Sequence, residues 1–246
     1  MASVRDMNNV FWSLVGPWQF LGMATAYLPG ALQQLFQTGG FTALLSWADI
    51  QSLWFSKFWS FWGGEIRKGL GDKVIALLQG RISQARIVDE PQHRPLRGTI
   101  LDIGPGVGFW VDLYAAFDNP ADQQPVRSVA SQSGKLQVFG VEPSTDAHPQ
   151  LKRRIKAAGL EDTYKILPVG IQSIAESDNP IQEESVDCIV TLLCLCSIPE
   201  PDKNIKELYK LLKPGGRWFL YEHVRVKRSS FIAMYQCEFF LLSCPP

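Results

Sequence analysis

The chain has 246 residues, 46% of them hydrophobic, and this size suits one α/β domain with an appended segment better than two full domains. Lysine plus arginine and aspartate plus glutamate are equal at 24 each, which indicates no nucleic-acid partner and favours a small-molecule or lipid ligand. The five cysteines include no C-x-x-C pair, so we expect no metal site and reduced thiols in a cytosol-facing protein.

The first 62 residues do not resemble ordinary domain surface. No charged residue occurs from Met7 to Ala48, and six of the eight tryptophans lie before residue 63. Prolines, glycines and glutamines interrupt this run, so it predicts two or three short helical pieces rather than one spanning helix. Apolar residues then recur at steps of three and four and are predicted to share one helix face. They are Trp47, Ile50, Trp54, Phe58 and Phe61.

Because tryptophan favours positions with one apolar and one wet side, this segment predicts a monotopic or hairpin-like association with a membrane surface. Two alternatives stay open. The helices could only cover the following domain, or the N-terminus could be a cleaved signal peptide with Arg5 before its apolar stretch and Ala24 to Ala26 as the cleavage site.

Ordinary composition begins at Glu65, where residues 65–90 predict a linking helix broken by the prolines of "DEPQHRPLRG". The predicted division is therefore a membrane-associated or covering segment at 1–64, the linking helix at 65–90, and a ligand-binding domain at 91–246.

The third region alternates short apolar runs with helical patterns, which is typical of βαβ units and a parallel sheet. Helices are predicted at 149–160 and at 202–216, the latter ending in Lys-Pro-Gly-Gly, and a surface insertion at 118–135. We therefore predict an α/β fold with a Rossmann-like sheet. Its five strand candidates are residues 99–104, 136–142, 164–170, 186–195 and 217–224.

The stretch "ILDIGPGVGFW" supplies a glycine loop after the first of these strands. Gly104, Gly106 and Gly108 can adopt positive φ angles and let backbone N–H groups approach a ligand. A dinucleotide fingerprint would need its third glycine at position 109, which is Phe109. Asp102, two residues before the first glycine, suits a ligand with an ammonium or sulfonium group and would repel a pyrophosphate.

Glu142 ends the second strand candidate, "LQVFGVE". A carboxylate at this tip can accept hydrogen bonds from adjacent ribose hydroxyls. An acid before the glycines and a second acid at the neighbouring strand tip together predict a ligand that carries both a ribose and a positive charge.

With these residues the chain resembles the class I S-adenosylmethionine-dependent methyltransferases, in particular the type 11 methyltransferase domain. The matching stretches are "LDIGPGVG", "VFGVEP", "SVDCIVTLLCLCSI" and "ELYKLLKPGGRWFLYEHV", so the resemblance covers residues 99–224, about half of the chain. "LCSI", "YEHV" and the aromatic N-terminus resemble a narrower subgroup. These are membrane-associated proteins of endoplasmic reticulum and lipid droplets, with a cytosol-facing domain, that methylate small alkyl thiols.

The resemblance implies S-adenosyl-L-methionine as the cofactor and assigns roles to individual residues. The three glycines would line its methionine part with Asp102 near the amino group, and Glu142 would hold the ribose. Many relatives carry an acid after the third strand where this chain has Ile171, so Gln172 is expected to replace that contact to adenine. The implied cofactor-binding residues are Asp102, Gly104, Gly106, Gly108, Glu142, Ile171, Gln172 and Leu193.

The implied reaction is S-methylation of a small lipophilic thiol, which needs little beyond an aligned nucleophile because the sulfonium is already electrophilic. We assign no catalytic residue. His223 is a candidate base, with a hydrogen-bonded structural histidine as the alternative. Cys194 and Cys196 are interpreted as buried packing residues, with a nucleophilic or metal-binding role as the alternative. The basic run at residues 152–156 is interpreted as a solvated helix face, with phosphate-headgroup contact as the alternative.

The fold implied by the resemblance has seven strands, but only 22 residues follow "RWFLYEHV". We therefore expect a C-terminally shortened domain whose fifth strand is a sheet edge exposing Trp218 and Leu220. The segment "FIAMYQCEFFLL" would cover this edge or lie on membrane. A catalytically inactive, membrane-associated fragment that binds cofactor weakly or not at all is the alternative function, and a nucleotide-dependent oxidoreductase is disfavoured by Phe109.

Overall fold

The computed structural model describes residues 15–16, 18–19, 21–118, 136–177 and 181–224. The chain forms two compact units, one of Met1–Trp62 with His223–Pro246 and one of Gly63–Glu222. Nearly all of the predicted surface insertion, and the C-terminal apolar segment "FIAMYQCEFFLL", lie outside the described residues.

The first unit contains helix α1, Leu28–Ala43, and the start of helix α2, Trp47–Leu78. Helix α1 is broken at Gly40, whose φ is 64°, as the interrupted sequence predicts. In α2, Ile50 and Phe58 are buried, whereas Trp47 and Phe61 at the two ends of the predicted stripe are exposed. The stripe is therefore buried only in its middle. Within the described part of the chain, no helix combines the length and apolar character needed to cross a bilayer.

The predicted linking helix at 65–90 is not a separate element, and we correct its bounds. Helix α2 runs continuously through this region and ends at Leu78. Gly63 stays helical, and a Cβ there would come within 2.4 Å of the Phe109 ring, so the missing side chain is what lets this ring pack against the helix. A two-stranded antiparallel hairpin follows, β1 at Ile82–Ser83 and β2 at Arg86–Ile87.

The second unit is built on a parallel sheet of five strands in the order β5-β4-β3-β6-β7. This confirms the predicted Rossmann-like α/β sheet, with each predicted strand present. The strands are β3 at Thr99–Ile103, β4 at Gln137–Val141, β5 at Tyr164–Leu167, β6 at Val186–Leu192 and β7 at Leu212–Tyr221.

Hydrophobic clusters cover both faces of this sheet. Alternate residues of β3 point to opposite sides, since Ile100 belongs to one cluster and Leu101 to the other. The end of α2 packs in the first cluster with two helices, α3 at Asp112–Asp118 and α4 at His148–Ala157. The second cluster contains helix α5, Pro201–Leu211, and a 3-10 helix at Ile171–Glu176. A further short 3-10 helix, Leu195–Ser197, follows β6.

The last strand differs from its prediction at both ends. Helix α5 ends at Leu211, so the Lys-Pro-Gly-Gly stretch belongs to β7. It forms a bulge there, since Val186 of β6 pairs with Leu212 whereas Cys188, two residues later, pairs with Arg217. Strand β7 is the outermost of the described strands. Leu220 is 54% exposed there, as predicted. The prediction for Trp218 was wrong, since it is half-buried and its indole nitrogen donates to the Thr191 hydroxyl at 3.1 Å.

Candidate functional site

The carboxyl end of β3 is the point where the strand order reverses. The chain goes from β3 to β4 and β5 on one side, and β6 and β7 lie on the other. Loops that leave such a switch point diverge and leave a crevice in which α/β proteins bind ligands. The predicted glycine loop follows β3, Glu142 follows β4, and Leu193 follows β6. The structure thus brings these predicted segments to one edge of the sheet.

The three loop glycines have the predicted positive φ angles, 62° at Gly104, 56° at Gly106 and 85° at Gly108. A Cβ on Gly104 would lie 2.8 Å from the Cβ of Cys194, and one on Gly108 would lie 2.7 Å from Leu151. A Cβ on Gly106 would meet no atom within 4 Å. The outer glycines are therefore required for packing, and the middle one faces open space.

Phe109, which replaces the third glycine of a dinucleotide fingerprint, fixes the exit of the loop. The guanidinium carbon of Arg154 lies 3.7 Å from the centroid of its ring. Arg154 Nη1 also donates to the carbonyl oxygen of Val107 at 3.1 Å. Arg154 is thus half-buried against the loop, and we correct its interpretation as part of a solvated basic face; its neighbours Lys152 and Arg153 are exposed as expected.

Glu142 accepts two backbone hydrogen bonds at the tip of β4. One comes from the Gly106 N–H at 2.8 Å and the other from the Ser144 N–H at 2.9 Å. Burial raises the pKa of Glu142, against the opposing effect of these two bonds and of His148. A carboxylate has about four acceptor positions, so each oxygen of Glu142 keeps one for a ligand hydroxyl.

Asp102 is only 5% exposed near the end of β3. Its Oδ2 accepts a hydrogen bond of 2.7 Å from the hydroxyl of Tyr164. Burial raises the pKa of Asp102 to about 6, while hydrogen-bonding interactions with Tyr164 and Tyr114 oppose the rise and the charge of Glu142 adds to it. The Tyr114 hydroxyl itself is buried without a hydrogen bond of normal geometry.

The segment after β6 is strained and held by an acid that directly follows β7. Leu193 has a φ of 57°, a conformation that is costly for a side chain with a Cβ and is concentrated at functional sites. Glu222 accepts hydrogen bonds from the N–H groups of Cys194 at 3.2 Å and Leu195 at 3.3 Å. Because Cys194 lies where a Cβ on Gly104 would meet it, this acid fixes the turn that faces the glycine loop.

Ile171 and Gln172, the two residues predicted to lie near adenine, occupy different environments. Ile171 is buried in the second hydrophobic cluster. Gln172 is exposed, and its amide nitrogen lies 2.6 Å from the position that a Cβ on Gly170 would take. A side chain at Gly170 would therefore displace Gln172. The adenine contacts stay predictions.

The candidate base and the cysteines differ in their burial. His223 is exposed and belongs to the first compact unit, so its role as a base stays a prediction. Cys194 is buried, and burial raises the pKa of its thiol, which favours the packing role over a nucleophilic one. In the described ranges, histidine, cysteine and acidic residues form no group of three that could hold a metal ion.

Tyr164 and Tyr114 are the site residues that the sequence analysis missed. A glycine in β4 is the one local signal for the first of them, because Gly140 leaves room for a side chain from the next strand to reach Asp102.

These residues fit S-adenosylmethionine. The backbone at Gly106 faces open space, Glu142 keeps free acceptor positions for ribose hydroxyls, and Asp102 can hold an ammonium group. The two acids lie at neighbouring strand tips, as the predicted ligand requires.

Comparison with known proteins identifies the family of the chain. Residues 75–236 match a family of methyltransferase domains. The chain is 32% identical over 128 residues to sterol methyltransferase-like 3 of Botryococcus braunii, covering 51% of this chain and 26% of that protein. It is 29% identical over 91 residues to thiol S-methyltransferase TMT1B of Rattus norvegicus, covering 37% of each.

The matched part of these relatives is thus about a quarter of one and just over a third of the other. A solved structure of a putative S-adenosylmethionine-dependent methyltransferase from Methanococcus maripaludis is 18% identical, with a TM-score of 0.43 over 73% of this chain and 68% of that chain. Because the family match spans residues 75–236, the chain belongs to the class I S-adenosylmethionine-dependent methyltransferases.

Proposed function

We propose that the chain transfers the methyl group of S-adenosylmethionine to a small lipophilic acceptor, a thiol, at a membrane surface. The single observation that carries the proposal is the open glycine loop between two acids, with Asp102 near the end of β3 and Glu142 at the tip of β4. This arrangement offers separate sites for the amino acid part and the ribose of one cofactor.

When bound, the cofactor supplies a methyl group on a positively charged sulfur, so the protein has mainly to align an acceptor and exclude water. The turn from Leu193 to Cys196 is suited to this task because it is half-buried to buried and faces the glycine loop. Glu222 holds this turn through two backbone N–H groups. A thiol acceptor needs only to lose its proton to become a strong nucleophile.

Thiol S-methyltransferases among the relatives, together with the "LCSI" and "YEHV" stretches, support a thiol acceptor. The test is to incubate purified full-length protein in detergent with methyl-labelled S-adenosylmethionine and alkyl thiols, sterols, phenols or fatty acids. We expect label in the thiol and none after Asp102→Asn. Label confined to sterols, phenols or fatty acids would overturn the thiol acceptor while keeping the methyltransferase.

The alternative is a catalytically inactive, membrane-associated chain that binds the cofactor weakly or not at all. Isothermal titration with S-adenosylmethionine separates the two cases. Micromolar binding with turnover of any acceptor supports the enzyme, whereas binding without turnover, or no binding, supports the alternative.

The membrane part of the proposal rests on the turn between α1 and α2. Four large apolar side chains near this turn are exposed, with Phe41 at 77% and Leu45 at 84%, although no charged residue lies among them. Exposed apolar surface of this kind is typical of contacts with lipid or protein. We propose that it lies at the interface of a bilayer, and that the second unit then takes lipophilic acceptors from that bilayer. The other two side chains are Phe36 and Trp47.

A further inference from the structure

A tyrosine from β5 reaches across a whole strand to touch Asp102. In the sheet, Tyr164 of β5 pairs with Val138 of β4, while Asp102 of β3 pairs with Gly140. The Tyr164 side chain therefore crosses β4 diagonally, and its hydroxyl donates to Asp102 Oδ2 at 2.7 Å.

Gly140 makes this crossing possible. A Cβ at this position would lie 2.3 Å from the Tyr164 hydroxyl oxygen and 2.6 Å from the ring. These distances are shorter than any normal contact, so a residue larger than glycine would push the hydroxyl away from Asp102. The contact thus depends on three strands and on the absence of one side chain.

The surroundings of Asp102 otherwise favour its neutral form. The carboxyl is buried, and the acid of Glu142 and the thiol of Cys194 are nearby groups that can also become negative. Tyr114 of α3 lies close but makes no hydrogen bond of normal geometry. Tyr164 is therefore the described side chain whose hydrogen bond directly stabilises the ionised carboxylate.

We propose that Tyr164 is a positioning residue for cofactor binding: passing over Gly140, its hydroxyl keeps the Asp102 carboxylate charged and oriented for the ammonium group of the cofactor. The inference rests on the proposed function, which supplies that ammonium group. Tyr164 does not touch the cofactor. It acts through Asp102 and sets the lower pH limit for binding.

The direction of the pH effect follows from the hydrogen bond. Burial raises the pKa of Asp102 to about 6, and the Tyr164 hydrogen bond works against that rise. Removing the hydroxyl leaves only the weaker interaction with Tyr114 to oppose the effect of burial, so Asp102 becomes protonated at a higher pH. A protonated carboxyl loses its attraction for an ammonium group, and cofactor affinity then falls at a higher pH than in the wild type.

The experiment compares full-length wild type with Tyr164→Phe between pH 5.5 and pH 8, with S-adenosylhomocysteine binding measured by calorimetry. At pH 6 we expect the variant to bind about tenfold more weakly than the wild type. At pH 8, where Asp102 is ionised in both proteins, the two affinities should agree to within about twofold. Tyr209→Phe removes an exposed hydroxyl of α5 and is the matched control, with an unchanged profile expected.

A second readout needs no cofactor. The carboxyl carbon-13 signal of Asp102, assigned by its loss in Asp102→Asn, should titrate at a higher pH in Tyr164→Phe and in Gly140→Ala than in the wild type. Either of these two variants suffices if the other folds poorly. Wild type that binds no cofactor or product would overturn the proposed function. If the wild type binds and the pH profile of binding in Tyr164→Phe is the same as in the wild type, only the role of Tyr164 would be overturned.

Discussion

Arg154 clamps the glycine loop through Phe109, because its guanidinium carbon lies 3.7 Å from the ring centroid while its Nη1 bonds the carbonyl oxygen of Val107. One side chain of α4 thus holds both the middle and the exit of the loop. A cation over an aromatic face and a charge-assisted hydrogen bond stabilise such a contact together.

Arg154→Ala should therefore loosen the loop. We expect a loss of about 1–2 kcal/mol in the free energy of unfolding and weaker cofactor binding, because the loop must then be ordered by the ligand. Chemical denaturation and calorimetric titration measure the two effects. Arg153→Ala, at an exposed neighbouring position, is the control and should change neither quantity. Equal effects of the two substitutions would contradict the clamp.

Gly106→Ala tests whether the open space at the middle glycine belongs to the cofactor. Gly106 has a φ of 56°, and a Cβ added there would meet no atom within 4 Å, so alanine costs only backbone strain, about 1 kcal/mol, in the free protein. We expect cofactor affinity to fall at least tenfold, since the added methyl group occupies ligand space. Calorimetry with S-adenosylmethionine measures this loss.

Gly159→Ala is a matched control for this substitution. Gly159 has a φ of 69° and is equally open, but it follows α4 rather than β3. It should show the same loss of stability with unchanged affinity. If the two variants bind the cofactor equally well, the open space at Gly106 is not part of the binding site.

The strands and the glycine loop were predictable because their signals are local. Buried parallel strands are apolar on both faces, so β3 and β6 read as short continuous runs. The loop was recognised by the spacing of its glycines and by Asp102 before them. In both cases the residues that decide the structure are neighbours in the sequence.

The contacts that shape the site were not predictable, because they join residues far apart. Tyr164 and Asp102 are 62 positions apart, and Arg154 and Val107 are 47 apart. The sequence shows Arg154 as one of several cations on a helix, and only packing distinguishes the one that faces inward. The bounds of α2 were wrong because the sequence does not show that the helix continues through Gly63, where the missing side chain leaves room for the distant Phe109 ring.

Asp102 is expected to cost stability while it serves binding. Its pKa is raised by burial from 3.8 to about 6, so the native state holds a proton that the unfolded state has lost between these values. The contribution of Asp102 to the free energy of unfolding therefore falls by about 3 kcal/mol as the pH rises from about 4 to 6. It stays low above that range. Asp102→Asn should be more stable than the wild type at pH 7.5, with the difference shrinking toward pH 4.

Thermal or urea unfolding of both proteins across this range measures the effect, and cofactor binding should be lost in the same variant. Asp146→Asn, at an exposed position, is the control and should leave the pH dependence of stability unchanged. An Asp102→Asn variant that is less stable than the wild type at pH 7.5 would contradict the buried, ionised carboxylate.

The exposed turn between α1 and α2 makes the membrane proposal testable with two substitutions. Replacing Phe41 and Leu45 by serine should reduce flotation of the full chain with phospholipid vesicles, because each fully buried side chain of this kind is worth about 1.5–3 kcal/mol on leaving water. Flotation on a density gradient measures the bound fraction. Ile87→Ser removes an exposed apolar side chain from β2 in the second unit and should leave flotation unchanged. A Phe41→Ser/Leu45→Ser variant that floats like the wild type would show that this turn is not the lipid contact. A wild-type protein that does not float would remove the membrane surface from the proposed function, but it would leave the methyltransferase site unaffected.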